Sequence, residues 1–397
     1  MPQRALHCLH VIQSVSPAFG GPIEAVRQLA ACEGRRSAVE PRNHIEIASL
    51  DAPSASYLAF AGCPVHALRS RWFDSLFPLS MLRWLQAQLD NYDVVVIHAI
   101  WHWHIYVAWL VLHRTGTPYV VFPHGMLDPW FKRRYPLKHL KKWLVWPWAI
   151  HPALRDADAV IFTCDQERRL ARESFWLYRV KAVVLPFGTE GVPSPGHDYT
   201  GAFLPQHPSL AGRRILLFLG RVHPKKAPDL LFHALANLQQ EGLWHPTRHV
   251  LVMAGPCAQR YAQILQQLAE RLAITESILW TGLLQGDQKW GAFQAAEAFV
   301  LPSHQENFGI AVVEALSTST PVLITHAVNI APDIAAMGAG LVGHDSEAGI
   351  TTLLRRWFQL EPPARHAIEL SARQCFERRY TIEGFTDALD ATLGSMV

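Results

Sequence analysis

The chain has 397 residues, half of them apolar and only 17% charged, with a formal net charge of +3. That length exceeds what one hydrophobic core usually serves, so two domains are expected, and so apolar a composition excludes a disordered protein. The small net charge, with no DNA- or RNA-binding motif beside it, argues against nucleic acid as a partner, and six cysteines without paired spacing indicate neither a disulfide framework nor a zinc motif.

Before His10 and Gln13 there is no long apolar run and no cleavage-site pattern, so a secretory signal is not expected and a cytoplasmic location is the simplest reading. Leu6 to Ile12 reads as the first strand. Ser16 to Pro22 then forms a turn in which Gly20 and Gly21 let the backbone approach a phosphate or acceptor closely, with Pro22 opening a helix; a purely structural turn is the competing reading. Residues 94–113 carry no formal charge and are long enough to cross a bilayer. Their four histidines and the run Asp93-Val94-Val95-Val96-Ile97-His98 instead indicate a buried parallel strand leading into a helix. His98, at the strand end, is expected to line the acceptor side. His98, His102 and His104 suggest a metal site, but His102 and His104 would diverge by about 200° on a helix, and no Asp or Glu lies between Asp93 and Asp128.

A strand over Tyr119 to Phe122 precedes His124-Gly125, so His124 is expected to project from a strand end. Next, Trp130 to Trp148 contains Lys132, Arg133, Arg134, Lys138, Lys141 and Lys142, no acid, and six aromatic residues. Such a segment can lie on an anionic membrane surface or grip a lipid-diphosphate acceptor, or can pack its tryptophans inward and leave its lysines solvated; both readings stand. It also accounts for the uneven charge, 21 Lys and Arg against 15 Asp and Glu in residues 1–190 but 15 against 18 in the remainder. Asp156-Ala157-Asp158 mimics a metal-binding Asp-x-Asp, but it precedes the strand Ala159 to Thr163 and reads as a helix-strand turn. A strand over Ala182 to Leu185 closes this half, and Gly191 to Pro208, rich in Pro and Gly, reads as the linker.

The second half alternates again, with strands near Ile215 to Leu219, Val250 to Ala254, Ile278 to Thr281, Ala298 to Leu301 and Val322 to Thr325. Alternation of this kind implies parallel sheets covered on both faces, an α/β architecture. Arg221 and Lys226 follow the first of these strands in a basic turn and can clamp a diphosphate at the edge where open α/β sheets bind ligands. After Leu301 comes a loop carrying Glu306, then Gly309 and an apolar helix from Ile310 to Leu316 whose free N–H groups suit phosphate. Glu314, two turns in, can accept from ribose hydroxyls while Glu306 reaches the sugar.

Gly220-Arg221, a Lys five residues after the Arg, and two glutamates with Phe308-Gly309 between them resemble glycosyltransferase family 4, which has the GT-B fold. The Gly20-Gly21-Pro22 turn, Pro123-His124-Gly125 through Trp130, and Gly255 after a strand extend the resemblance over nearly the whole chain. It implies two Rossmann-like domains facing across a cleft, an acceptor-binding one over 1–192 and a nucleotide-sugar-binding one over 209–397, whose last helices can cross back onto the first. The implied activity is retaining transfer of a hexosyl group from a nucleoside-diphosphate sugar to a hydroxyl acceptor, with no cofactor and no metal. By the same resemblance, His124, Glu306, Arg221 and Lys226 are catalytic. Gly20, Gly21, Leu284, Asn307, Phe308, Gly309, Ile310 and Glu314 join Arg221, Lys226 and Glu306 in donor binding, the base seating near Leu283-Leu284. Trp130 and His98 lie on the acceptor side, and the expected acceptor is a lipid-linked or growing surface glycan, with possible peripheral membrane contact through 130–148. The alternatives are an epimerase-like enzyme on the same fold or a catalytically silent partner in polysaccharide assembly. A Rossmann dehydrogenase fits poorly, because no Gly-x-Gly-x-x-Gly follows the first strand.

Overall fold

The computed structural model describes residues 4–36, 43–69 and 77–397, which divide into two compact units, one of residues 1–188 with 382–397 and the other of residues 189–381. The first unit holds a sheet of seven strands: β1 His7–Ile12, β2 His44–Ser49, β3 Val65–Ala67, β4 Val94–His98, β5 Tyr119–Phe122, β6 Ala159–Phe162 and β7 Ala182–Val184. Their order is β3-β2-β1-β4-β5-β6-β7, and every pairing is parallel. β4 and β5 are buried at every position, as befits β-branched runs covered by helices on both faces. One such helix, Trp103–Thr115, ends on Gly116 in the left-handed conformation. No helix of the described residues is long and apolar enough to cross a membrane.

The second unit repeats the plan with six strands: β8 Arg214–Leu219, β9 His249–Ala254, β10 Ile278–Gly282, β11 Ala298–Leu301, β12 Val322–Thr325 and β13 Gly340–Gly343. Their order is β10-β9-β8-β11-β12-β13, again all parallel. In each sheet the strand order reverses beside the unit's first strand, between β1 and β4 and between β8 and β11. That reversal opens a crevice at the carboxyl ends of the strands, the standard ligand position in such sheets.

Two expectations from sequence are corrected. Residues 191–208 are not a free linker but part of the second unit: Val192 N donates to Ser317 Oγ (3.0 Å), and Tyr199 N donates to Gln294 Oε1 (2.7 Å). The short helix Thr200–Phe203 packs so closely on the helix Gly286–Ala295 that a Cβ at Gly291 would meet Tyr199 O at 2.3 Å. The boundary itself falls at 188/189 in place of 192 and 209, while the expected return of the chain is found: helix Ile382–Gly394 belongs to the first unit. Arg36 ties this helix down through Asp387 (2.6 Å) and Asp390 (2.7 Å), and Asn43 Nδ2 donates to Asp390 Oδ1 (2.6 Å).

Candidate functional site

In the second unit, the end of β8 and the loop after β11 come together through one charged pair. Past Leu219 the chain turns through Gly220 (φ 144°), and His223 Nδ1 accepts from Lys225 N (3.1 Å), forming the 3-10 turn Pro224–Lys226. Ala227, at φ 48°, sends the chain into helix Pro228–Gln240. The turn directs Lys226 Nζ onto Glu306 Oε2 at 2.6 Å, while Arg221 is exposed. Burial, then the neighbouring Arg221, Lys225 and Lys226, hold the His223 imidazole below its ordinary pKa, a mark of how much positive charge the turn gathers.

The β11 loop is fixed by its backbone. Glu306 N donates to Ala327 O (2.9 Å) and Glu306 O accepts from Asn329 N (3.0 Å), while His304 N donates to Lys225 O (2.9 Å), joining the two loops directly. Gly309, at φ 79°, caps helix Ile310–Ser317; no side chain caps its N-terminus and no acid lies in its first turn. Its first N–H groups and positive dipole end are therefore open to an anion beside Asn307, Phe308 and Ile310. Glu314, further along, receives Lys289 Nζ at 2.9 Å from helix Gly286–Ala295. Lys289 went unnoticed in the sequence, where nothing in its helical run marks a partner for a glutamate 25 residues on. Beyond β10, Leu284 is buried and Leu283 exposed.

In the first unit, His10 within β1, His98 at the end of β4 and His124 just past β5 come together. His10 Nδ1 lies 2.9 Å from His98 Nε2, and His98 Nδ1 lies 3.0 Å from His124 Nε2. His104 Nε2, which can only donate to a carbonyl, reaches His98 O at 2.7 Å. Burial pushes the His10 imidazole down to about 3 and those of His104 and His124 to about 4, and holds His98 well below its ordinary value. All four rings are thus neutral near pH 7, each with one donor and one acceptor nitrogen. The chain then has two settings: His10 donates to His98, which donates to His124, leaving His124 Nδ1 as the donor, or both bonds reverse and Nδ1 becomes an acceptor. His98, expected on the acceptor side, is itself buried and sits between His10 and the more exposed His124. His104 is spent on backbone, and His102 lies outside the helix and exposed.

His124 (φ 50°) and Gly125 (φ 74°) form a left-handed pair held by Glu167, whose carboxylate accepts from Gly125 N (2.6 Å), Thr163 N (2.7 Å) and Thr163 Oγ1 (2.7 Å). Glu167 was missed in the sequence because its role is to brace a loop 42 residues away. Trp130 is half-buried, its backbone N–H donating to Asp128 Oδ1 (2.8 Å). Gly20 (φ 74°) links the 3-10 turn Pro17–Phe19 to helix Gly21–Arg35, and a Cβ at either Gly20 or Gly21 would meet nothing within 4 Å. Asp156 accepts from Trp109 Nε1 (3.0 Å) and Asp158 from Tyr119 N (3.1 Å), both structural contacts. Among the described residues, no group of three or more His, Cys, Asp or Glu could hold a metal ion.

Two family models match in succession, one described as a Glycosyl transferase 4-like domain over residues 20–188 and one as Glycosyl transferases group 1 over residues 202–374. The D-inositol 3-phosphate glycosyltransferase of Streptomyces avermitilis is 29% identical over 283 residues, 68% of this chain and 58% of that protein. That of Kineococcus radiotolerans is 31% identical over 190 residues, 46% of this chain and 43% of its own length, so the chain spans about half the length of these relatives. Among solved structures, Anabaena HepE in complex with UDP gives a TM-score of 0.77 at 18% identity over 98% of this chain and 100% of that one. Sucrose-phosphate synthase from Thermosynechococcus elongatus gives 0.75 at 16% identity over 97% of each. The structural likeness is one of fold, and the two family models together take in nearly all of both sheets; the chain belongs to the group 1, 4-like family of glycosyltransferases with the GT-B fold.

Proposed function

We propose that the protein transfers a hexosyl group, with retention of configuration, from a nucleoside-diphosphate sugar to a hydroxyl acceptor. The observation that carries this reading is the Lys226–Glu306 pair, 2.6 Å apart beside the open N-terminus of helix Ile310–Ser317, with Arg221 exposed on the same turn. A diphosphate needs concentrated positive charge that water does not screen, and two cations with a helix dipole supply it without a metal. Arg221 and Lys226 neutralise the leaving diphosphate, Glu306 holds the sugar, and Glu314, steadied by Lys289, holds the ribose. The backbone at Leu283 and Leu284 receives the base. From the first unit, His124 meets hydroxyls of the transferred sugar, while the Gly20-Gly21 turn and Trp130 serve phosphate and acceptor.

In the reaction the bond from the sugar's anomeric carbon to the β-phosphate oxygen breaks and the acceptor oxygen bonds to that carbon on the same face. The acceptor's proton passes to the departing phosphate. That HepE is held with UDP and glucose supports a nucleoside-diphosphate hexose as donor, and that the relatives are named glycosyltransferases supports glycosyl transfer. A lipid-linked or growing surface glycan is the proposed acceptor, with the enzyme on the cytoplasmic side.

The test is calorimetric binding of UDP-, GDP- and ADP-sugars in the presence of a chelator, repeated with Lys226→Ala. One nucleotide that binds to the parent and not to the variant fixes the donor class and the clamp together. Binding by none of them, or binding that demands a divalent cation, defeats the reading, and turnover of the nucleotide sugar without acceptor would point to an epimerase.

A further inference from the structure

Helix Pro136–Val145 packs one face and leaves the opposite one apolar and bare. Its inner side is anchored by His139, stacked on Phe175 at 4.7 Å, and continues into Trp146, stacked on the same ring at 4.0 Å with its indole N–H donating to Leu177 O (2.8 Å). Leu137, Leu140 and Leu144 point the other way, 79%, 61% and 71% exposed. At about 100° per residue the three fall within an arc of about 60°, roughly half a turn from His139 and Trp146. Trp148, 48% exposed, extends the row, its ring N–H satisfied by Leu144 O at 2.6 Å. Leucines spaced to form a core stripe are here turned away from the core, which costs solubility unless something covers them.

The surroundings identify the cover. Lys132, Arg134, Lys138 and Lys141 are exposed beside the row, and the sequence has no acid between Asp128 and Asp156. Arg133 pairs only at 3.5 Å with Glu173. Lys142, in contrast, is drawn inward over the Trp101 ring at 4.3 Å, and burial lowers its pKa to about 8, so it belongs to the packed side. An apolar row bordered by uncompensated cations and ending in a tryptophan matches the layering of a bilayer surface, with acyl chains under the leucines, anionic headgroups against the cations and an aromatic ring at the boundary. A second copy of this face would bring like charge to like charge.

We propose that helix Pro136–Val145 docks the protein on an anionic phospholipid bilayer, lying in the interface with Leu137, Leu140 and Leu144 inserted among the acyl chains, Trp148 at their boundary and the neighbouring lysines and arginines on the headgroups. This surface lies wholly within the first unit and is independent of the nucleotide reading, so either can fail alone.

The test is co-sedimentation of the full-length protein with vesicles of phosphatidylcholine alone and of phosphatidylcholine with phosphatidylglycerol. The parent should pellet with the anionic vesicles and be weakened by salt. Leu140→Glu with Leu144→Glu should reduce partitioning about tenfold or more, and Lys138→Gln with Lys141→Gln should reduce it selectively on anionic vesicles. These exposed positions should leave circular dichroism and nucleotide binding unchanged. A parent that stays in the supernatant overturns the proposal, as does equal binding by the leucine double variant, or a soluble dimer that the variant dissociates while neither form binds vesicles.

Discussion

Gly255→Ala tests how the second unit holds its basic turn. Gly255 sits at φ +133°, and a Cβ there would lie 2.1 Å from Gly220 O and 2.7 Å from Gly220 C, against an ordinary contact of 3.4–4 Å. Relief requires a backbone shift of more than about 1 Å at the residue that starts the Arg221–Lys226 turn. Gly220 N also donates to Ala254 O (2.9 Å) and Gly255 N to Gly282 O (2.6 Å), so neither strand end can yield without losing a hydrogen bond. The left-handed backbone costs about 1–2 kcal/mol for a non-glycine residue, and overpacking adds about 1–3 kcal/mol. The sum, roughly 2–5 kcal/mol, should lower the melting point of a unit this size by several degrees at least. Gly242→Ala is the control: φ is +72° and nothing lies within 4 Å of its Cβ, so it carries the backbone cost alone. Thermal unfolding and nucleotide-sugar titration are run on both. The expected outcome is a larger loss of stability for Gly255→Ala and a nucleotide affinity reduced about tenfold or more, because a displacement of about 1 Å disrupts charge placement. Equal melting points and equal affinities for the two variants would refute the close-approach argument.

Lys226→Ala should lower turnover by more than about a hundredfold with the fold preserved, since under the proposed reading it removes one of two cations facing the diphosphate, and it takes away the 2.6 Å partner of Glu306; near-normal steady-state rates would take Lys226 out of the clamp. Lys289→Ala frees Glu314 from its 2.9 Å partner and should weaken nucleotide binding several-fold, read by titration; unchanged affinity would mean the pair is only structural. The buried histidines predict acid sensitivity: with folded values near 3 for His10 and 4 for His104, the unfolded chain takes up protons first as pH falls below about 6.5. Stability is therefore full above that pH and drains below it, by about 2 kcal/mol per ring at pH 5. Glu33, raised to about 7 by burial and then by Asp390, works in the opposite sense, so urea unfolding at pH 7.5 and 5 should be measured in Glu33→Gln as well as the parent; no loss of stability at pH 5 in that variant would contradict neutral buried imidazoles.

Most of the architecture was legible because its strands are short β-branched runs between helices. Val94–His98 and Ala298–Leu301 are found as expected to the residue. β2, β3 and β13 were not seen, since His44–Ser49 alternates weakly, Val65–Ala67 has three residues and Gly340–Gly343 is half glycine. Residues 191–208 misled for a related reason: prolines and glycines that mark a linker in sequence here trace a path over the helix Gly286–Ala295, whose own Gly291 admits the close approach. Lys226 and Glu306 were visible as charged residues at strand ends, but their mutual contact, and Lys289, Glu167 and His10, depend on distances across a sheet that no local pattern encodes.

The two sheets share one strand order, yet their switch points are built from opposite materials. At the second, cations gather beside a helix N-terminus. At the first, β1, β4 and the loop after β5 carry imidazoles that burial keeps neutral. Under the proposed reaction this difference has a physical reason. The leaving diphosphate gains negative charge as the glycosidic bond breaks, so fixed positive charge stabilises the transition state more than the ground state. The sugar ring meanwhile becomes oxocarbenium-like, and an imidazolium against it would oppose that charge. A neutral His124, with its tautomer set through His98 and His10, can donate to or accept from a hydroxyl without that penalty. Under that reading His98 and His10 act at one remove: His124's own burial keeps it singly protonated, and the direction of the chain selects which of its nitrogens carries the proton.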